Sequence, residues 1–376
     1  MHVKINVVGD FCVESLGNLH CGGLLNKFIS EADLNVVNLE APIYTQDTVP
    51  SVKSGPNLFQ DENVPAFLEN NGFNVVLLAN NHIMDYGEKA FSNTVKHFSP
   101  QTLLVGAGTF EEAYCVKVAK INNVKIGFLS ISQYEFGMLE DNGVIREVGV
   151  AWMLHPCIDE LILNAKVICD YLIVLPHAGL EFFELPLPEV RSLYRHFVNI
   201  GADAVIGNHP HVPQSWEIYH DRPILYSLGN FCFDKDVKND LWHYGLIAGL
   251  IITEKGVALD TKLIYFNKSK SLIEICDNPS VLNLLGKSRK LMLDETAYIE
   301  TVNKKCLSLY ATYNQYFEMG GYCQIGLRKC LGVIRRTILS IFGLRPKLHI
   351  LPAHMINNLR CETHRWVLSR IYELTS

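Results

Sequence analysis

Up to about residue 267 the chain alternates short apolar runs with amphipathic stretches. INVVGD, LNVVNLE, VVLLANNH, KIGFLSIS, YLIVLPH, AVIGNHPH and PILYSLGNF are continuous enough in Val, Ile and Leu to predict strands buried on both faces. GLIAGLII and LDTKLIYF follow, joined at Glu254-Lys255-Gly256, and predict a hairpin. Between the runs, CGGLLNKFISEAD, ENVPAFLENNG, EKAFSNTVKHF, IDELILNAKVI and PEVRSLYRHFVNIG carry helical spacing, and several end at Gly or Asn as helix C-caps do. From about residue 280 the strands cease. SVLNLLGKSRKLMLDETAYIETVNKKCLSLYATYNQYF and IGLRKCLGVIRRTILSIFGL both read as helical. The pattern predicts an α/β unit over residues 1–270 and a helical extension over 271–376, with no internal repeat.

Composition narrows this picture. Hydrophobic content of 48% and charged content of 19% in 376 residues fit a folded globule and exclude a disordered chain. Eleven cysteines without a C-x-x-C pair read as reduced core thiols. The opening MHVKINVVGDF enters a strand directly, so a secretion signal is not expected. The longest apolar runs fall short of the ~20 residues a spanning helix needs. These features predict a cytoplasmic protein without a membrane span. Charge is uneven along the chain, however. Residues 324–376 hold nine Lys or Arg against Glu362 and Glu373, within a chain of formal net charge -6. In the same region Leu327, Leu331, Ile334, Ile338 and Ile341 or Phe342 share one helical face, with Arg335 and Arg336 near its edge. That stripe suits either packing on the α/β unit or peripheral contact with an anionic membrane on its inner face.

The polar residues that follow the strands carry the chemistry. Six strands run into Asp10, Glu40, Asn80-Asn81-His82, His177, His209-x-His211 and Asn230. In open α/β sheets, functional groups collect at the carboxyl ends of strands. In the His-Pro-His stretch the proline pushes His209 towards an extended backbone, and side chains two apart on an extended segment face the same way. Imidazoles joined by Asp10, Glu40, an Asn amide oxygen and His177 form a nitrogen and oxygen set suited to zinc, iron or manganese. The set is large enough for two ions. A pair roughly 3.5 to 4 Å apart clamps a phosphoryl oxygen and lowers the pKa of a bound water towards ~7. Asp10 or Glu40 is the natural bridge. Singly, each residue has a plainer reading: a hydrogen-bonded strand-end histidine, an Asx turn at Asn80-Asn81, a helix cap. Repetition at so many strand ends is what those readings leave unexplained.

VVGD (Gly9, Asp10), VNLEAPI (Glu40), LANNHIMDYGEKAF (Asn80 to Phe91), GAG (Gly106 to Gly108), HAGLE (His177 to Glu181), GADAVIGNHPHVPQ (Gly201 to Gln214) and ILYSLGNFCFD (Ile224 to Asp234) follow one another in a recognisable order. This set resembles the CapA family of capsule and poly-gamma-glutamate biosynthesis proteins, related to the calcineurin-like metallophosphoesterases. The resemblance implies a four-layer αββα sandwich of two mixed sheets flanked by helices. It implies a centre of one or two divalent ions, with Asp10, Glu40, Asn81, His177, His209 and His211 as ligands. His82 then faces the substrate, where it protonates the leaving oxygen or steadies the phosphoryl group. Asn80, Asp85 and Asn230 fall around the substrate or behind the ligands, and Glu181 is a candidate carboxylate for orienting an imidazole.

The implied function is a metal-dependent phosphoesterase-like enzyme working on a phosphorylated or acidic intermediate of a bacterial surface polymer. The alternative is a non-catalytic subunit that binds nascent polymer or a membrane synthase. Three departures stand out. Phe11-Cys12 follows Asp10 where metallophosphoesterases carry D-x-H, Ala178 stands in place of a tryptophan, and FCVESLGN lacks the family's arginine. A nucleic-acid substrate is not expected, because the chain outside the tail is strongly acidic.

Overall fold

The apolar run that begins at Val3 becomes the central strand of a nine-stranded mixed sheet. Val3–Cys12 pairs in parallel with Leu34–Leu39, and parallel pairing continues to Val75–Leu77 and Leu103–Val105. On its other side it lies antiparallel to Tyr244–Thr253, followed by Gly256–Asn267, Leu272–Ile275 and His20–Cys21. Asn230–Phe233 pairs in parallel with its carboxyl end. A six-stranded sheet runs Trp216–Tyr219, Arg222–Leu225, Ala204–Ile206, Tyr171–His177, Val124–Ser132 and Lys117–Ile121, parallel in the middle and antiparallel at both edges. The hairpin turns where the sequence places it, with Thr253 opposite Gly256.

Residue parity builds the layers. Val3, Ile5, Val7, Val36, Val75 and Leu77 meet Val124, Ile126, Phe128, Ile173 and Leu175 of the second sheet in one buried core. Residues of the other parity, Val37, Leu39 and Val76, pack with Val8 and Phe11 against Leu25 and Ile29 of helix Gly23–Ser30, Leu68 of helix Val64–Asn70 and Phe91 of helix Gly87–Lys96. Helices Cys157–Ile168 and Pro188–Ile200 pack on the second sheet and contribute nothing to the core between the sheets, so they cover its outer face. The result is an αββα sandwich of two mixed sheets. Each buried aliphatic side chain contributes roughly 1.5–3 kcal/mol, so these strands are held from both sides.

A bulge places the first polar residue. The register between Val3–Cys12 and Leu34–Leu39 shifts between Val7 and Asp10. A Cβ at Gly9 would lie 1.8 Å from the Gly229 carbonyl oxygen, so only glycine allows the two backbones to approach. The Asp10 amide donates to that oxygen at 3.1 Å. Bulges of this kind re-aim a side chain at a strand's end.

The computed structural model describes residues 2–141, 144–314 and 350–375. They fall into two compact units, Met1–Ser51 with Asn57–Glu295, and Val52–Pro56 with Thr296–Ser376. The first unit takes in strand Leu272–Ile275 and helix Pro279–Leu291, beyond residue 270. The second joins the non-helical Val52–Pro56 to helices of the C-terminal region, in which Tyr298, Val302, Cys306, Val367 and Ile371 are buried. The stripe at Leu327 to Phe342 lies outside the described residues. Among the described residues no helix is long and apolar enough to cross a membrane, and the cysteines are free, six of nine being buried.

Candidate metal centre

The parallel strands of both sheets deliver their polar residues to one place. Asp10, Glu40, His177, His209 and His211 are all buried. Their ligand atoms form two groups, Glu40 with His177 and His209, and Asp10 with Glu40 and His211, each group lying within 4.8 Å. Glu40 belongs to both groups and Asp10 to one. His177 Nε2 lies 3.7 Å from Glu40 Oε1, 3.1 Å from His209 Nδ1 and 3.1 Å from Asn81 Oδ1. His211 Nε2 lies 3.4 Å from Glu40 Oε1, and its Nδ1 lies 3.2 Å from Asp10 Oδ2.

Both Glu40 oxygens are buried and accept no hydrogen bond. A buried carboxylate without donors is costly unless a charge compensates it. Burial, followed by the neighbouring Asp10, pushes the Glu40 carboxyl well above the usual range. Burial opposes protonation of His211, yet Glu40 and Asp10 outweigh it and raise this imidazole to about 10. His177 moves the other way, well below its ordinary value, through burial and then the charges of His209, His211 and His82. Two carboxylates sharing imidazole nitrogens, one of them orphaned of donors, form a set that fits divalent cations.

The two histidines of the His-Pro-His stretch reach the cluster by another route than the sequence predicts. His209 has φ 99° and His211 φ 59°, so neither is extended. Left-handed backbone costs a non-glycine residue about 1–3 kcal/mol and persists where surrounding structure over-determines it. The His209 amide donates to Asp10 Oδ2 at 3.4 Å, and His211 packs against Phe233 and Trp242 with ring centroids 5.1 Å away in each case.

The other expected residues divide. Asn81 Oδ1 lies beside His177 Nε2, next to one of the two groups. Asn230 Oδ1 lies 3.0 Å from His211 Nδ1, while its amide donates to Trp242 O. His82 Nδ1 pairs with Asp85 Oδ2 at 2.7 Å, and that oxygen also accepts from the Leu58 amide. Asn80 is a brace. Its amide donates to Asn38 Oδ1 and Leu39 O, and its oxygen accepts from the His82 and Ile83 amides. Glu181 is exposed, and its charge is one of those that raise the His211 imidazole. Gly179 at φ 133° and Phe182 at φ 58° turn the chain after His177, so a spacing of four residues does not return to the same face there.

Three residues that sequence reasoning passed over also meet the cluster. Asn38 donates to Asp10 Oδ1 at 2.8 Å and lies 3.3 Å from His177 Nδ1. Gln133 Nε2 lies 2.9 Å from His209 Nε2 and donates to Glu135 Oε1 at 2.6 Å. Glu135 Oε1 lies 3.7 Å from His209 Nε2, and its Oε2 accepts from Asn81 at 3.1 Å. Gln133 and Glu135 directly follow strand Val124–Ser132, so the strand-end rule that found the others would have found them too.

Fold and site together define a two-sheet α/β protein with a buried acid and imidazole cluster suited to metal. The family described as Bacterial capsule synthesis protein PGA_cap matches residues 21–235, and the chain belongs to it. The match spans Glu40 to Asn230 and begins after Asp10. Capsule biosynthesis protein CapA of Bacillus anthracis is 32% identical over 221 residues, 56% of this chain and 53% of that protein. PGA biosynthesis protein CapA of Bacillus subtilis (strain 168) is 32% identical over 205 residues, 53% of this chain and 52% of that protein. The matches thus span about half the length of these relatives. Among solved structures, calcineurin-like phosphoesterase YfkN from Bacillus subtilis aligns with 78% of this chain and 98% of its own, at a TM-score of 0.42 and 13% identity. The 5'-nucleotidase from Candida albicans SC5314 aligns with 76% and 58%, at a TM-score of 0.39 and 13% identity.

Proposed function

We propose that this chain is a metal-dependent phosphoesterase-like enzyme of bacterial capsule or poly-gamma-glutamate biosynthesis, acting by hydrolysis or transfer on a phosphorylated or acidic polymer intermediate. The observation that carries this reading is the pair of ligand groups sharing Glu40, whose buried oxygens have no donor. Membership of the capsule-synthesis family supports the biological setting. Divalent ions bound there supply Lewis-acid polarisation of a phosphoryl oxygen and acidify bound water. Asp10, Glu40 and His211 would hold one ion, and Glu40, Asn81, His177 and His209 another. Asp85 holds the His82 ring through Nδ1, and Nε2 is the nitrogen assigned to exchange a proton with the leaving oxygen.

A second reading, a metal-poor or non-catalytic subunit that binds polymer or a synthase, is favoured by one observation. Cys12 stands where D-x-H proteins carry a histidine ligand, and it packs among Ala41, Leu58, Phe233 and Trp242. Burial, then the adjacent Glu40, pushes its thiol well up, and neither group of clustered ligand atoms includes it. Metal analysis of protein purified without chelator, combined with hydrolysis of an aryl phosphodiester and an aryl phosphomonoester under added Mn, Fe and Zn, separates the two. The expected outcome is one or two bound transition-metal ions and metal-dependent hydrolysis, with most metal lost in the His209→Ala/His211→Ala double variant. Full occupancy in that variant refutes the site; full occupancy of the unmodified protein without hydrolysis moves the reading to the binding subunit.

A further inference from the structure

We propose that Glu135 is a positioning residue that sets the orientation of the Asn81 side-chain amide, so that its oxygen and not its nitrogen faces the cluster. This rests on the metal-centre reading above. The two ends of an asparagine amide are nearly the same size, but only the oxygen offers a lone pair to a cation. Something behind the amide must therefore choose between them.

The choice follows a chain of hydrogen bonds that starts at a group unable to turn over. The Gly179 backbone amide donates to Gln133 Oε1 at 3.0 Å. That fixes Gln133 Nε2 at the other end, where it donates to Glu135 Oε1 at 2.6 Å. The second Glu135 oxygen accepts from Asn81 Nδ2 at 3.1 Å. A carboxylate accepts only, so it tolerates the NH2 end of Asn81 and repels the oxygen. Asn81 Oδ1 is left 3.1 Å from His177 Nε2. Gln133 is fully buried and the Glu135 side chain is 8% exposed, so water competes poorly for either bond. Gly179 lies two residues beyond His177. The strand end that supplies one ligand thus anchors the orientation of another.

The test is a double-mutant cycle read by Mn2+ affinity of the metal-stripped full-length chain, with free Mn2+ followed by its solution EPR signal. Glu135→Ala should weaken binding ~10–100-fold, as loss of a group orienting a metal ligand does. In the Asn81→Asp background it should cost nothing, because a carboxylate ligand has two equivalent oxygens and needs no orienting. Relief of repulsion between two carboxylates should even favour the double variant. Equal losses in both backgrounds would mean that Glu135 acts as a ligand or through its charge, and would overturn the proposal. Unchanged affinity of Glu135→Ala in the wild-type background would overturn it as well. Urea unfolding of the metal-free proteins checks the fold. Should Glu135→Ala fail to fold, Glu135→Gln carries the same cycle, since its one oxygen cannot serve Asn81 and Gln133 together. A wild-type chain that binds no Mn2+ takes down the metal-centre reading and this proposal with it. Binding by wild type with no effect of Glu135→Ala takes down the proposal alone.

Discussion

At the scale of single residues, the proposed function separates groups that would hold a cation from groups that would act on a substrate. His82 belongs to the second kind. Its Nδ1 is engaged with Asp85 at 2.7 Å, and neither group of clustered ligand atoms includes it. The ligand set can therefore assemble without the His82 ring, whereas proton transfer cannot. His82→Ala should keep metal content and unfolding midpoint and lower turnover of an aryl phosphoester by ~10²-fold or more, the usual range for a general acid. Loss of metal in that variant would move His82 among the ligands. Metal content by elemental analysis and steady-state rates on the same sample decide it.

Among the elements, the strands bring functional groups to one edge while their other ends and outer faces supply rigidity. Strand Trp216–Tyr219 lies at the edge of the second sheet, and Glu217 on it gathers three partners. Arg195 donates to it through Nε at 2.8 Å and Nη2 at 2.6 Å, Arg191 Nη2 lies 3.4 Å away, and the Tyr226 hydroxyl donates to Oε1. Burial alone would raise the Glu217 carboxyl, but the Arg195 hydrogen bonds, with Tyr226 and Arg191, outweigh it and hold it below the usual range. A carboxyl depressed by folding contributes stability that is present above its unfolded pKa and lost as pH falls through the folded one. Glu217→Gln should cost about 2 kcal/mol at neutral pH, the scale of hydrogen bonds to a charged group. The deficit should shrink as pH drops below ~4, where glutamate protonates in the unfolded chain. Urea unfolding at pH 7, 5 and 3.5 measures it, and a deficit that stays constant across the series would contradict the ion-pair account.

On the scale of the whole molecule, charge and chemistry are segregated along the chain. Every residue of the candidate metal cluster lies in the first compact unit, whereas residues 324–376 carry nine Lys or Arg and two acidic side chains. Each Lys or Arg near an anionic surface contributes on the order of 1 kcal/mol. If the tail serves a membrane surface, the full chain should sediment with anionic liposomes at low salt and be released at higher salt. A chain ending at residue 323 should then stay in the supernatant with its metal intact. Aggregation of the shortened chain, with no liposome binding by the full one, would assign the tail to packing instead. Mixed-sheet architecture was legible beforehand because continuous Val, Ile and Leu runs occur only where both faces of a strand are covered. Short strands such as His20–Cys21 at the edge and Leu272–Ile275 beside it were not, since two to four residues are too few to show a period.

What the sequence determined by itself was the inventory of the site: acids, amides and imidazoles at strand ends, because parallel strands must all finish on one side of a sheet. It also carried the requirement for glycine at position 9, though not the reason, which is the Gly229 carbonyl 1.8 Å from where a Cβ would be. Tertiary structure decided the pairing. That Glu40 is shared while Asp10 serves one group depends on a register shift between Val7 and Asp10 and on two sheets packed face to face. The left-handed backbone of His209 and His211 departs from local preference and is set by what surrounds it. Likewise Glu135 and Asn81 lie 54 residues apart, and only the fold sets one behind the other. Local sequence encodes which groups reach the edge of a sheet; distances between groups on different strands are set by packing, which no local stretch contains.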